Sequence, residues 1–451
     1  MSVIATVFLR IGFLRAAGLV RRAVPLGAGA ETSAPIFMCV FTQSMPKSIY
    51  VSPENKITIR TATESDWPAL QLLDSVGFGF HPSPAVSELT KALYKPEDII
   101  LAVDGDLPVG VAIEIDMEFT VPGGRQLPTR GITWVSVAPT HRRRGVLRSM
   151  FTALHAHIES TGAPLAALTA SEAGIYNRFG YGPATFSEGI TLDRRFARFR
   201  PEVPDNGGVS IVDVKAASTL LPEIYDRWRL LTPGAQLRPQ PLWDHMFADP
   251  SEDRDGASGL FFLTHADGYI AYRHTSEGRD SIARIDEFVT ITEDAHAALW
   301  RTICGLDLVT RIETRQHPAD PLRLMLTDYR LARTTTRSDR LWLRIMDVPA
   351  ALEAREYAAD LDTVIKVEDP FLKAGGTFAL QVKGGKATCT ATDAVPAITM
   401  PSDVLSSLYL GEHQAKSFAA AHRLHASDPH EIRNFDFAFN AEKPAILGYG
   451  F

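Results

Sequence analysis

The sequence predicts an α/β chain, in the α+β sense, of two or three domains, each built on a mixed sheet with packed helices. Three observations predict it. Short β-branched runs closed by Gly, Pro and Asp turns alternate with stretches of helical spacing from residue 57 to about 345. A chain of 451 residues exceeds what one hydrophobic core usually serves. The last hundred residues change character, with a Gly- and β-branched-rich segment from Gly375 to Thr392.

The elements follow in order. Ile57 to Arg60 alternates as a short strand, and Thr63 to Trp67 reads as an N-cap and first helical turn continued by Leu70 and Leu73. Ile99 to Val103 is a strand closed by Asp104-Gly105-Asp106. Val109 to Thr120 is a second, ending at Pro122-Gly123-Gly124, and Ile132 to Val137 a third, ending at Pro139. A helix from Gly145 to Ser160 places Leu147, Phe151, Leu154 and Ile158 on one side. The strand Leu165 to Thr169, a short helix around Ile175 to Phe179 and a strand from Phe186 to Leu192 complete this unit, assigned to residues 56–200.

Pro201 to Gly208 reads as a linker. The region 201–348 repeats the pattern: a hairpin at Gly259–Leu263 and Tyr269–Tyr272, a strand at Ser281–Val289, and a helix from about Asp294 to Ile303. It reads as a degenerate copy of the first unit, although a direct repeat is weak. In the third unit, 349–451, a helix is expected at Pro401–Leu410 and a strand at Phe435–Phe439. The chain stops on the apolar Ile446 to Phe451, which suggests a terminus held in place.

Composition narrows the class. Hydrophobic residues make up 45% and charged residues 22%, as in a globular protein. A net charge of -7 argues against a nucleic-acid partner and suits a cationic small molecule. Cys39, Cys304 and Cys389 are too sparse for a disulfide scaffold or a metal site, which fits a reducing, cytoplasmic compartment and no metal. His155 and His157 point apart on their helix and make no metal pair. Before Glu31 there is no acidic residue, while Arg10, Arg15, Arg21 and Arg22 punctuate an apolar stretch. Residues 1–55 are therefore expected to be a poorly ordered or over-called extension, with Met45 as an alternative start. A targeting or interfacial segment is the other reading; secretion has no clear signal, and no apolar run is long enough for stable membrane insertion.

The most informative segment runs from Val135 to Leu147. A β-branched strand ends at Pro139, passes through the basic turn Arg142-Arg143-Arg144 and enters a helix at Gly145. Unpaired N–H groups at a helix start, close backbone approach at a glycine and arginine donors suit a pyrophosphate. An isolated arginine run would be an ordinary solvated turn; the order strand, proline, basic turn, glycine, helix favours the anion site.

This loop resembles the acetyl-CoA motif of GNAT acetyltransferases, Gln/Arg-x-x-Gly-x-Gly/Ala. Arg142 and Gly145 are in place, but Leu147 stands where a small residue is usual. The likeness to the Eis family of aminoglycoside N-acetyltransferases is closer. It rests on Trp134 to Gly145 (WVSVAPTHRRRG), Ala170 to Ala184 (ASEAGIYNRFGYGPA) and the terminal Phe451, and it extends from about residue 57 to the end.

The resemblance implies tandem GNAT-like domains followed by a sterol-carrier-protein-like domain, acetyl-CoA as co-substrate and a hexamer. It implies cofactor contacts from Val135, Ser136, Val137, Arg143, Arg144, Gly145, Val146, Leu147, Arg148, Ser171 and Glu172. It makes Tyr176 the acid and the α-carboxylate of Phe451 the base.

From the residues alone, Tyr176 is either a proton donor to the leaving thiolate or a tyrosine packed between Ile175 and Phe179. Phe451 is either a core plug or a placed carboxylate. Glu114, Asp116 and Glu118 alternate with Ile113, Ile115 and Met117, so three carboxylates share a strand face. That face is either solvated or an acidic wall for a polycation, with Trp134 and Phe80 as apolar floor or rim. The resulting expectation is multi-site acetylation of aminoglycoside amines. Protein lysines or polyamines as acceptors, or a non-enzymatic lipid- or effector-binding role, are the alternatives.

Overall fold

The computed structural model describes residues 57–373 and 375–451. The expected N-terminal extension, with Met45 and Cys39, lies outside the described residues. The first sheet has seven strands: β1 (Thr58–Thr61), β2 (Ile99–Asp104), β3 (Leu107–Thr120), β4 (Gln126–Val137), β5 (Leu165–Thr169), β6 (Gly182–Pro183) and, from far along the chain, β14 (Leu341–Ile345). Their order is β1-β2-β3-β4-β5-β14-β6, and β4 with β5 is its parallel pair. The second sheet repeats the design with β7 (Phe186–Asp193), β8 (Ser210–Val212), β9 (Phe261–His265), β10 (Gly268–Glu277), β11 (Asp280–Thr290), β12 (Arg311–Gln316) and β13 (Ala332–Asp339), in the order β13-β7-β12-β11-β10-β9-β8. The third, at the C-terminal end, holds five strands, β15 (Leu361–Glu368), β16 (Gly376–Lys383), β17 (Lys386–Ala391), β18 (Ile398–Pro401) and β19 (His425–Ala426).

The two large sheets exchange strands. The segment 186–193, expected to complete the first unit, pairs instead with β12 and β13, and its Ile190 and Leu192 enter the second core. Its place in the first sheet goes to β14, antiparallel to β5, with Leu341, Leu343 and Ile345 buried. Alternation identifies a strand and its apolar face but not its partner, so this exchange is silent in the sequence.

A second expectation also fails. Phe435–Phe439 is not a strand; it ends a helix spanning Pro429–Phe439, capped by Asp428, whose side chain accepts from His430 N, with proline in the first turn. In that helix Phe435 and Phe439 are one turn apart and stack with ring centroids 3.9 Å apart, while Phe437 faces out. A Phe-x-Phe-x-Phe pattern satisfies both periods at this length.

Four helices frame the first sheet's open end: α1 (Trp67–Phe78), α2 (Pro84–Leu93), α3 (Val146–Thr161) and the short α4 (Ala173–Tyr176). On α3, Val146, Met150, Phe151, Leu154 and Ile158 are buried at helical spacing, which fixes the helix against the sheet and its N-terminus beside β4. Among the described residues no helix is long and apolar enough to cross a membrane, and no group of His, Cys, Asp and Glu could hold a metal ion.

Candidate active site

The site begins as a split in the first sheet. Strands β4 and β5 pair in parallel from Thr129 opposite Leu165 to Ile132 opposite Leu168. Beyond Ile132 β4 bends away. On its other side the register with β3 jumps from Thr133 opposite Ile113 to Ser136 opposite Val111, one residue more on β4 than on β3. This is a β-bulge, and Trp134 within it has φ 53°, a left-handed conformation uncommon for a bulky side chain. The splayed strands open a cavity of about 1030 Å³.

One end of the cavity is built for an anion. It is lined by Arg142, Arg143, Gly145, Val146, Leu147 and Arg148, where β4 gives way to α3. Gly145 is the N-cap, with φ 81° and no side-chain cap, so the first-turn N–H groups have no capping side chain. A Cβ built on Gly145 would meet nothing within 4 Å, so the positive φ rather than crowding calls for glycine. Uncapped amides at the positive end of a helix, flanked by arginines, fit a pyrophosphate. Val135, Ser136 and Val137 run along the cavity beside them, and Ser171 and Glu172 line its opposite wall.

Tyr176, at the end of α4, and Phe451, the last residue, line the same cavity. Both are buried. Burial, reinforced by the charge of Glu172, holds the Tyr176 phenol above its ordinary pKa, so it keeps its proton at neutral pH. The Thr169 hydroxyl, at the end of β5, donates to the terminal Phe451 oxygen at 2.5 Å. The Phe451 ring meets Phe119 edge-on with centroids 6.3 Å apart. Tyr181, the competing phenol, is fully buried and bonded to His155 Nε2 at 2.9 Å, outside the cavity lining. Burial lowers the His155 pKa to about 3, which leaves that pair neutral.

Several expected positions fall elsewhere. Arg144 is absent from the lining and turns to Asp104 at 3.3 Å, a carboxylate that also holds His141 at 3.1 Å. The turn therefore presents Arg142 and Arg143 to the cavity and uses Arg144 to fasten itself. The row Glu114, Asp116, Glu118 is not an acidic wall of this cavity. Glu114 meets Arg130 and His157, Asp116 pairs with Arg130, and Glu118 pairs with Arg229 at 3.2 Å. The cause is cross-strand register, which sets Asp116 opposite Arg130 on β4, together with a helix of the second domain that supplies Arg229. Trp134 does line the cavity, its ring edge-on to Tyr94; Phe78 rather than Phe80 lines it from α1.

Sequence reasoning missed Thr169, Arg178, Asp339 and Arg340, which also line the cavity. The last two, Asp339 at the end of β13 and Arg340 between β13 and β14, arrive with the strand exchange. Asp339 also accepts from Trp342 Nε1 at 2.5 Å.

Residues 58–184 and residues 234–345 match models of the acetyltransferase (GNAT) domain, and residues 348–447 match a sterol carrier protein domain. The N-acetyltransferase Eis of Mycobacterium tuberculosis is 46% identical over 406 residues, which cover 88% of this chain and 100% of that protein. The chain belongs to the Eis family of GNAT N-acetyltransferases. An uncharacterized N-acetyltransferase of Streptomyces avermitilis is 34% identical over 413 residues, 87% of this chain and 99% of the relative. The crystal structure of Eis1 from Mycobacterium abscessus superposes with a TM-score of 0.79 at 29% identity, covering 87% of this chain and 100% of that one. As a member of the Eis family, the protein is an acetyl-CoA-dependent N-acetyltransferase, and the expected tandem GNAT and sterol-carrier-like architecture is borne out.

Next to the site, α1 buries a carboxylate. Asp74 is 2% exposed, and its Oδ1 has no hydrogen-bond partner. Burial raises its pKa from 3.8 to about 7. Between those values the unfolded chain releases a proton that the folded chain retains, so stability falls as pH rises from 4 to 7 and levels off above. Replacing Asp74 with Ala is therefore expected to stabilise the protein more at pH 8 than at pH 4, by about 4 kcal/mol of difference. Denaturant unfolding at the two pH values measures it; an equal effect at both would show that folding leaves the Asp74 pKa unshifted.

Proposed function

We propose that this enzyme acetylates primary amines of aminoglycosides, at more than one position of the same molecule, by direct attack of the amine on the thioester. The observation that carries the reading is that a protonated phenol, Tyr176, and a chain-terminal carboxylate, Phe451, line the same cavity as the uncapped helix start.

In this reading Arg142, Arg143, Arg148 and the first-turn amides of α3 hold the pyrophosphate of acetyl-CoA, and the backbone of Val135 to Val137 lies along its pantetheine arm. The cofactor supplies an activated acetyl group. The protein must orient an amine, take its proton and return a proton to the leaving thiolate. The Phe451 carboxylate, charged at neutral pH, accepts or orients the amine proton, directly or through water. Tyr176 donates to the thiolate.

The cation-attracting role expected of the β3 row passes to carboxylates that line the cavity: Asp339, Glu172 and Phe451 itself. A cavity of about 1030 Å³ has room for a multi-ring acceptor to bind in more than one pose, which supports multiple acetylation. The proposal also takes the protein as a cytoplasmic homo-hexamer; free Cys304 and Cys389 agree with a reducing compartment, and the hexamer rests on family resemblance.

The test is the mass of the product. With acetyl-CoA and an aminoglycoside bearing several primary amines, the expected product carries two or more acetyl groups. An unmodified aminoglycoside, with acetyl transfer only to lysine peptides or polyamines, would keep the chemistry and overturn the acceptor.

A further inference from the structure

The second GNAT-like domain contains no basic glycine turn of its own; Glu293 and Asp294 open the helix that corresponds to α3. One segment of it nevertheless reaches the chemistry. Residues Pro233 to Leu237 follow the helix Val214–Arg229 and lie against the end of β3: Gly234 N donates to Thr120 O at 2.8 Å, Thr120 N to Ala235 O at 2.9 Å, and Gln236 bridges antiparallel to Phe119. This segment extends the edge of the catalytic domain. Its other side faces the last six residues of the chain.

Those last six residues have no regular secondary structure, yet Tyr449, Gly450 and Phe451 are buried. Their backbone groups need partners, and this segment supplies them. Ile446 N donates to Pro233 O at 2.8 Å. The side-chain amide of Gln236, fully buried, grips the tail twice: Nε2 donates to Tyr449 O at 2.7 Å, and Oε1 accepts from Gly448 N at 3.0 Å. A side chain carrying both a donor and an acceptor group thus does the work of a missing strand. Tyr449 then donates its hydroxyl to Leu237 O at 3.0 Å, and its ring lies 5.6 Å from the Arg238 guanidinium, itself paired with Glu287 at 2.7 Å. Gly448 has no room for a side chain, since a Cβ there would lie 2.1 Å from Tyr225 Oη.

We propose that the cofactor-free domain aims the terminal carboxylate, with Gln236 as the positioning residue. The grip ends two residues before Phe451, and Phe119, the bridge partner of Gln236, is the ring against which Phe451 packs. Gln236 touches neither acceptor nor thioester. It fixes where the carboxylate stands, and Thr169 completes the placement from the catalytic domain. A misplacement of about 1 Å suffices to lower turnover markedly. The inference rests on the reading of the Phe451 carboxylate as proton acceptor.

The test is a cycle on the full-length enzyme: wild type, Gln236→Leu, a chain with one glycine added after Phe451, and both changes together. Gln236→Leu is expected to lower kcat about tenfold while leaving the Kd for acetyl-CoA unchanged. In the extended chain, which has already lost the placed carboxylate, the same substitution should change kcat less than twofold. A merely structural Gln236 would lower kcat equally in both backgrounds, and that result overturns the inference. An extension that lowers kcat beside an unaffected Gln236→Leu also overturns it and leaves the carboxylate reading standing; a harmless extension removes the carboxylate reading itself. Tyr449→Phe, which deletes the bond to Leu237 O and keeps the ring, gives a second readout if Gln236→Leu does not fold: the same fall in kcat supports the inference, and an unchanged kcat overturns it.

Discussion

Adding a single glycine after Phe451 is expected to lower kcat about 100-fold. The extension moves the only free carboxylate of the backbone away from the oxygen that receives the Thr169 hydroxyl and replaces it there with a neutral peptide carbonyl. Positioned proton acceptors contribute about 10²–10⁴ in rate, and the lower end applies because a terminal carboxylate is a weak base. The turn of Arg142, Arg143 and Gly145, proposed to hold the pyrophosphate, is left intact by the extension, so the Kd for acetyl-CoA should stay within about twofold of wild type. Steady-state kinetics and calorimetric titration separate the two. Full activity in the extended chain would mean that Phe451 only fills space beside Phe119.

Tyr176→Phe is expected to lower kcat about 30-fold with little change in acetyl-CoA affinity. The substitution keeps the ring and its packing near Phe151, 6.0 Å between centroids, and removes only the hydroxyl. The phenol's raised pKa keeps it protonated across the working range, so the loss should be nearly constant from pH 6 to pH 9. A group titrating inside that window would instead give a loss that varies with pH. Tyr181→Phe serves as the contrast: it breaks the buried bond to His155, so stability should fall while kcat holds.

What the sequence made legible follows the range of the interactions involved. The strand, turn and helix from Trp134 to Arg148 are consecutive, so their order could be read directly, down to the glycine with positive φ. Which arginine faces the cavity could not, because Asp104 at the end of β2 claims Arg144. The acidic face of β3 was a correct reading of alternation and an incorrect reading of purpose. Its partners, Arg130, His157 and Arg229, stand on three other elements. The strand exchange that carries Asp339 and Arg340 to the cavity leaves no local trace, since nothing within β7 or β14 names the sheet it joins. Gln236 is likewise an isolated glutamine until the tail is seen against it.

The central claim is that Tyr176 and the Phe451 carboxylate serve one reaction in one cavity. The most direct measurement is the rate of thiol release from acetyl-CoA with an aminoglycoside acceptor, for wild type, Tyr176→Phe, the glycine-extended chain and the combination. Groups that act on the same transition state fail to add. The account predicts that the combined variant is barely slower than the slower single variant, with acetyl-CoA still bound. Losses that multiply in full, or a combined variant that keeps its rate, would contradict it.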